Sequence, residues 1–445
     1  MSRSAARELW LQGATIVSSD AQDRVLRGDL LIRDGRIAGI GRVRPGRGAR
    51  RLDVRDRIVL PGLVMAHVHL CQTLMRGMAD DLPLLEWLRS RIWPLEAAHD
   101  ARSMRHSAEL GLAELVRAGT TALLDLGTVH EQDVIFETCV RAGIRVVGGR
   151  TLMDRGEQVP RRLQQSASHS LAEAESLERR WVSHPSGRIG YAWIPRFILS
   201  CSEGMMRGAL ERSRSSGAIF HTHAAEHREE RRTVRRELGA DDVVLLRRWG
   251  MRGPRCSIAH GVQLTRAQLG MLARDETRVV HCPTANLKLG SGIARVADLA
   301  RAGVVVGLGA DGAPCNNNLD PWLELRHAAL LSSVMAGPGA LTARMALRMA
   351  TIEGARVLNL DSQIGSIELG KRADLVVVNP LVPHAAPALD PIATLVYATQ
   401  ARDVEHVFVD GRPLVEKGEL ATLDAERIGK TAGFEARRLA RRARV

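Results

Sequence analysis

The chain has 445 residues, 45% hydrophobic and 25% charged, which supplies a large buried core and excludes global disorder. Its formal charge of +13 invites a nucleic-acid reading, but only four of 63 basic residues are lysine (288, 371, 417 and 430), the arginines are dispersed, and aromatics make up 3%; no nucleic-acid partner is expected. No apolar run approaches the roughly 18–20 residues of a membrane span, and MSRSAARELWLQ has no signal-peptide core, so a soluble cytoplasmic protein without a membrane partner is expected.

Residues 1–60 are strand-like: LWLQGATIV, DLLIRDGRIAGIG and RIVLPG are short apolar runs, with a hairpin signal at Asp34-Gly35. The same texture returns over 363–420, in GSIELGKRADLVVVNP and VEHVFVDGRPLV. The two ends are therefore expected to build one small composite β-sandwich domain. Between them, over 61–362, buried-type strands alternate with amphipathic helices. Eight strand candidates stand out: IVLPGLVMAH, TTALLDLG, IRVVGGR, RIGYAWIP, AIFHTH, CSIAH, RVVHC and VVVGLGAD. Eight βα units over this length predict an α/β fold, a (β/α)8 TIM barrel. The last stretch, 421–445, carries Arg437, Arg438, Arg441, Arg442 and Arg444 and reads as a basic helix with a solvated face.

Polar residues cluster where these strands end. His67, His69, Asp125, Arg150, Arg196, His223, His260, His281 and Asp311 all fall at or just after C-terminal strand ends, which in a barrel share one catalytic face. His67 and His69 form an H-x-H pair, and alternate residues of a strand point the same way. With His223 and Asp311 they make three imidazoles and a carboxylate, a donor set suited to Zn²⁺ and also to Fe²⁺ or Mn²⁺. A second metal in such sites commonly needs a bridging group, often a carboxylated lysine. No lysine precedes Lys288, so one divalent ion is expected, with Cys201 or Glu203 as the remaining candidates for a bridge. A bound ion lowers the pKa of its water and so supplies a nucleophile; Asp311, His260 and Glu226 are the candidates for proton transfer beside it.

Other patterns carry less. Cys71, Cys139, Cys201, Cys256, Cys282 and Cys315 are scattered without a C-x-x-C pair, which speaks against a zinc knuckle or disulfide scaffold. Gly307-x-Gly309-x-x-Gly312 has the spacing of a dinucleotide fingerprint, but it sits on the last barrel strand around Asp311. Pro314-Cys315 continues as Asn-Asn-Asn, unlike the P-C-x-x-C of the nucleobase deaminases that use H-x-E.

PGLVMAHVHL (61–70), HAAE (223–226), AHG (259–261), HCPTANLKLGSG (281–292), GADGAPCNN (309–317) and ATIEGARVLNL followed by IGSIELGKRADLVVV resemble the amidohydrolase superfamily, in its aminohydrolase branch. The resemblance spans nearly the whole chain. It implies the barrel, the composite β domain, one catalytic metal and hydrolytic removal of an amino group from a nitrogen heterocycle. It implies His67, His69, His223 and Asp311 as ligands, Glu226 as proton donor to a ring nitrogen and His260 as the group that orients the nucleophile.

For the substrate, the stretches at 76–96, the Asp311 loop and the C-terminal region resemble deaminases of methylthioadenosine, S-adenosylhomocysteine or 5′-deoxyadenosine. That resemblance implies Glu96 as a ribose ligand and Arg150 as a further nucleoside contact. The PRFILSCSE run and Gln72 resemble guanine deaminase instead, which implicates Gln72, Arg196 and Phe197 in gripping a base; Gln72 also recurs in s-triazine hydrolases. A barrel that lost catalysis and serves in assembly is the alternative outside enzymes, and the intact ligand set with Glu226 and His260 speaks against it. A small-molecule substrate and self-association into a dimer or tetramer are expected.

Overall fold

A computed structural model describes residues 8–156 and 158–445. Nine strands form one mixed sheet from both ends of the chain: Glu8–Val17, Val25–Arg33, Arg36–Gly41, Arg50–Asp53 and Ile58–Pro61 from the first, Leu375–Val378, Val404–Val409, Arg412–Glu416 and Glu419–Leu420 from the second. The halves join where Ile58–Pro61 runs antiparallel to Leu375–Val378. Asp34 and Gly35 both adopt positive φ, the requirement of a type I′ turn, and pair Arg33 with Arg36 as the hairpin signal predicts. Leu11, Ile16, Leu30, Val59, Leu375, Val377 and Phe408 form this sheet's own core.

The second sheet is the barrel. Its eight parallel strands are Leu63–Val68, Thr120–Asp125, Arg145–Gly148, Ile189–Pro195, Ile219–Ala224, Cys256–His260, Arg278–His281 and Val306–Leu308, each beside the next. A bridge between Val68 and Asp311 closes the ring, with Asp311 N donating to His67 O at 3.1 Å. Alternation sorts the side chains. Val64, Ala66, Ala122, Leu124, Val147, Ala192, Ile194 and Val280 fill the inside with the segment above it, whereas Leu63, Met65, Leu123, Val146 and Ile258 pack outward on the helices.

One strand differs from expectation. IVLPGLVMAH is two strands in two sheets, divided at Gly62. There the backbone leaves the mixed sheet, Gly62 N donating to Asp374 O at 2.8 Å, and crosses so close to the second barrel strand that a Cβ would stand 1.9 Å from Thr121 Oγ1.

The basic tail is a helix that keeps a solvated face and docks the other. The helix Ala425–Ala443 docks on the helix Ala101–Arg117 and the segment before it. Leu439 and Glu435 are buried; Arg102 pairs with Glu435, Arg427 with Glu109, and Arg438 and Arg442 with Asp100. Arg438 and Arg442 thus share one acid of the barrel, whereas Arg437, Arg441 and Arg444 stay exposed. Among the described residues no helix is long and apolar enough to cross a membrane.

Candidate active site

The site lies at the C-terminal ends of the barrel strands, and the backbone there breaks its own rules to build it. Val64 and Ala66 point inward, so strict alternation would send His67 outward. A one-residue register shift between Met65 and Val68 resets the phase, and His67 and His69 both face the centre. Three non-glycine residues beside the centre hold left-handed backbone: Ala225 at φ 54°, His260 at 77° and Asp311 at 60°. Such conformations are costly and persist where the surrounding structure over-determines them. Cys256 and Ile258 pack outward, and the turn at His260 brings the next alternate residue inward instead.

His67, His69, His223 and Asp311 offer donor atoms that all lie within 4.8 Å of one another. Asp311 Oδ1 is 3.4 Å from His67 Nε2 and 3.2 Å from His69 Nε2; His223 Nε2 is 3.3 Å from His69 Nε2. His67 Nε2 is buried without a hydrogen-bond partner, as a lone pair meant for a cation would be. Outer contacts fix the rings. His223 Nδ1 donates to the Arg196 carbonyl at 2.7 Å, which leaves Nε2 unprotonated. His67 Nδ1 sits 2.8 Å from His221 Nε2, and His221 Nδ1 2.8 Å from Ser257 Oγ; a proton on each Nδ1 again leaves the His67 Nε2 lone pair inward. Burial depresses the proton affinity of His67 and His223, which keeps both neutral. For Asp311 burial acts the other way, but the histidines outweigh it and hold its carboxyl well below the usual range. This donor set fits a divalent ion.

Cys201 and Glu203 lie elsewhere. The Cys201 thiol, pushed up to about 12 by burial, donates to Leu152 O, and exposed Glu203 pairs with Arg207.

Glu226 and His260 converge on the same point. His260 Nε2 is 3.5 Å from Glu226 Oε2 and 4.0 Å from Asp311 Oδ2, and it too is buried without a partner. Its Nδ1 donates to Asn286 Oδ1 at 2.9 Å, and burial lowers its pKa to about 4, so the inward nitrogen is an acceptor. Burial first, then the charges of Asp311 and Glu230, raise Glu226 well above the usual carboxylate range. A carboxylic acid therefore stands beside a neutral imidazole and an ionised aspartate, the separation of roles that acid–base chemistry needs.

These groups open into a narrow cavity walled by Leu84, Trp87, Leu88, Phe197 and Leu289, with Gln72 and Arg196 among its polar groups. Leu84, Trp87 and Leu88 come from the helical segment 84–97, which contains a π-helical turn at Leu88–Ile92. Glu96 is close but committed: its Oε1 accepts from Gln72 Nε2 at 2.8 Å and its Oε2 from Arg196 Nη1 at 2.5 Å. Burial raises its proton affinity, yet Arg196 and Gln72 outweigh that and keep it ionised. Arg150 is not brought to the cavity; it pairs with Glu173 and bonds Gln165. Asp125 supports the turn after the H-x-H pair, accepting from Leu70 N at 3.0 Å, with burial raising its pKa to about 6. The glycines of 307–312 belong to the barrel seam: a Cβ at Gly309 would stand 2.8 Å from His67 O and one at Gly312 2.0 Å from Gln72 Oε1.

The profile of the amidohydrolase family matches residues 58–414. The chain belongs to the amidohydrolase family. A 5-methylthioadenosine/S-adenosylhomocysteine deaminase of Moorella thermoacetica is 38% identical over 378 residues, covering 85% of this amidohydrolase and 86% of that protein. A 5′-deoxyadenosine deaminase of Methanothermobacter thermautotrophicus is 36% identical over 410 residues, covering 92% and 94%. The zinc-bound crystal structure of an adenosine deaminase from Xanthomonas campestris superposes with a TM-score of 0.91 at 31% identity, covering 97% and 98%. The motif resemblance is borne out at the level of the family and its barrel.

Sequence reading missed His221 and Asn286, which orient the inner rings. Both left a trace: His221-Thr222-His223 is a second H-x-H pair, and Asn286 lies inside the HCPTAN run.

Proposed function

We propose that this amidohydrolase is a hydrolytic deaminase of adenosine-type nucleosides, using one divalent ion, zinc, held by His67, His69, His223 and Asp311. The observation that carries the reading is the convergence of the Glu226 carboxyl, His260 Nε2 and Asp311 Oδ2 on one point beside the ligand cluster, facing a cavity with apolar walls. The names of the relatives support the nucleoside, and the zinc-bound neighbour supports the metal.

A bound ion acts as a Lewis acid and lowers the pKa of water towards neutrality. The chain's own groups do the rest. Trp87, Leu88, Phe197 and Leu289 hold the ring and exclude bulk water. Glu226 gives its carboxyl proton to the ring nitrogen beside the amino-bearing carbon, which makes that carbon electrophilic. His260 Nε2 and Asp311 Oδ2 orient the attacking water and accept its protons. Water's oxygen bonds to carbon, one of its protons passes to the amino group so that the C–N bond breaks and ammonia leaves, and the other restores the Glu226 carboxyl.

A second reading has its own observation. Gln72, Arg196 and Phe197 wall the cavity, while both Glu96 oxygens are engaged. That arrangement favours a compact base with a carbonyl for Arg196, such as guanine. Ammonia release by the zinc-loaded protein decides: turnover of 5′-deoxyadenosine or methylthioadenosine well above guanine supports the first reading, and the reverse order the second. No ammonia from either class, or from aminated s-triazines, overturns deamination.

A further inference from the structure

Glu226 is held in the site by a turn whose own support comes from two buried acids. The fifth barrel strand ends at Ala224, Ala225 turns left-handed at φ 54°, and the helix Arg228–Leu238 starts three residues later. Asp242 Oδ2 accepts from Ala225 N at 2.5 Å. Glu230 Oε2 accepts from Glu226 N at 3.2 Å and from His227 N at 3.4 Å. On its far side, the Ala225 carbonyl accepts from Gln263 N at 2.7 Å.

We infer that Glu230 and Asp242 are positioning residues for Glu226: their carboxyl groups hold the three consecutive N–H groups of Ala225, Glu226 and His227 and so fix the turn that carries the Glu226 carboxyl into the cavity.

Three features separate this clamp from ordinary helix capping. A capping glutamate reaches the N–H of the cap residue, as Glu230 does at His227; Glu230 also reaches one residue further back, to Glu226 itself. Asp242 comes from a different helix, Asp242–Arg248. Both acids are almost fully buried, at 1% and 2% exposure, and among the described residues neither has a salt-bridge partner. The nearby Arg231 and Arg235 pair with Asp241 instead. Buried acids without cations are costly, and here the compensation is the row of backbone donors beside the active site. Either protonation state of Glu230 serves, because a carboxylic acid keeps an acceptor oxygen. Losing the clamp would leave buried N–H groups unpaired, and the turn would relax towards water.

The catalytic consequence rests on Glu226 moving a proton in the proposed deamination; the clamp itself does not. Amide hydrogen exchange over residues 224–228 of the zinc-loaded protein tests the clamp directly. In Glu230→Ala the amides of Glu226 and His227 should exchange at least about tenfold faster than in the wild type, since they lose their acceptor. Turnover should fall about 100-fold, the scale of a misplacement near 1 Å, with KM changed less than about threefold and bound metal unchanged. Glu230→Gln keeps an acceptor oxygen at the same reach and should recover most of the protection and rate. Glu230→Asp keeps the charge but withdraws it by one methylene, and should behave like alanine.

Unchanged exchange in Glu230→Ala overturns the clamp, and turnover within about twofold of an active wild type overturns its role in positioning Glu226 for the reaction. If the alanine variant does not fold, the aspartate and glutamine variants decide: equal protection and rate in both overturn it. A wild type that releases no ammonia removes the deaminase reading alone, because the exchange result still stands or falls.

Discussion

Two regions of this barrel bury charge, and they treat it differently. At the N-terminal end Arg145 is locked between the barrel and the mixed sheet. Its Nε and Nη2 reach Asp374 at 3.1 and 3.2 Å, and Nη2 reaches Asp410 at 2.9 Å. At the C-terminal end, His67 Nε2, His260 Nε2 and Gln72 Oε1 are buried with no partner. Paired charge joins the two sheets; unpaired polar atoms occur at the N-terminal end too, Thr120 Oγ1 and Arg188 Nε among them, but those of His260 and Gln72 belong to residues that line the cavity. Unmet hydrogen-bonding capacity in a buried place is costly, and at the cavity a ligand or substrate can use it.

The contrast breaks first at Glu226. Glu226→Gln keeps shape and metal but cannot donate the carboxyl proton, so turnover should fall about 10²–10⁴-fold. Metal analysis beside steady-state kinetics checks it, and retained turnover takes Glu226 out of the proton path. At the opposite end, Arg145→Ala leaves buried Asp374 without its cation, while Asp410 keeps Arg372 and Arg188, and should cost about 3–5 kcal/mol of stability. Denaturant unfolding reads that loss, while kcat per folded molecule should stay as it was; a loss of kcat at equal folding would join the two regions.

Arg196 and Glu96 sharpen the comparison, because they form a paired charge inside the unpaired region. Glu96→Ala strands the Arg196 guanidinium, and a charged hydrogen bond is worth about 1.5–3 kcal/mol, or roughly 10- to 150-fold in kcat/KM. If Glu96 also meets ribose, nucleosides lose far more than free bases. Equal losses make the pair a support for Arg196 alone.

The smallest effect concerns the C-terminal helix. Burial raises the Asp100 carboxyl, but Ser103 N–H and Arg442 outweigh it and hold it below its usual value. A depressed carboxylate stabilises above its unfolded pKa of about 3.9 and loses that contribution as pH falls towards the folded value. Amide exchange across 425–443 should therefore rise below about pH 4, before the barrel strands respond. Uniform protection down to pH 3 would show that Leu439 packing, not Asp100, holds the helix.

Much of the molecule was legible in the chain. The eight barrel strands followed from apolar runs and turn residues, and the ligands from imidazoles and a carboxylate at strand ends. These are local properties, since a strand's alternation is set by its own backbone. The departures are all non-local. The shift between Met65 and Val68 that turns His67 inward depends on pairing with the second strand. The split at Gly62 depends on Thr121, and the glycines of 307–312 on His67 and Gln72.

Residue types by themselves determined which groups were able to bind a cation or move a proton. Only the tertiary structure decided which of them remain free to do so. Glu96 and Glu226 are both buried carboxyls near the same cavity; one is spent on Arg196 and Gln72, while burial, uncompensated by a cation and reinforced by Asp311 and Glu230, raises the other. That difference lies in the neighbours each acquires on burial, and no spacing in the chain encodes it.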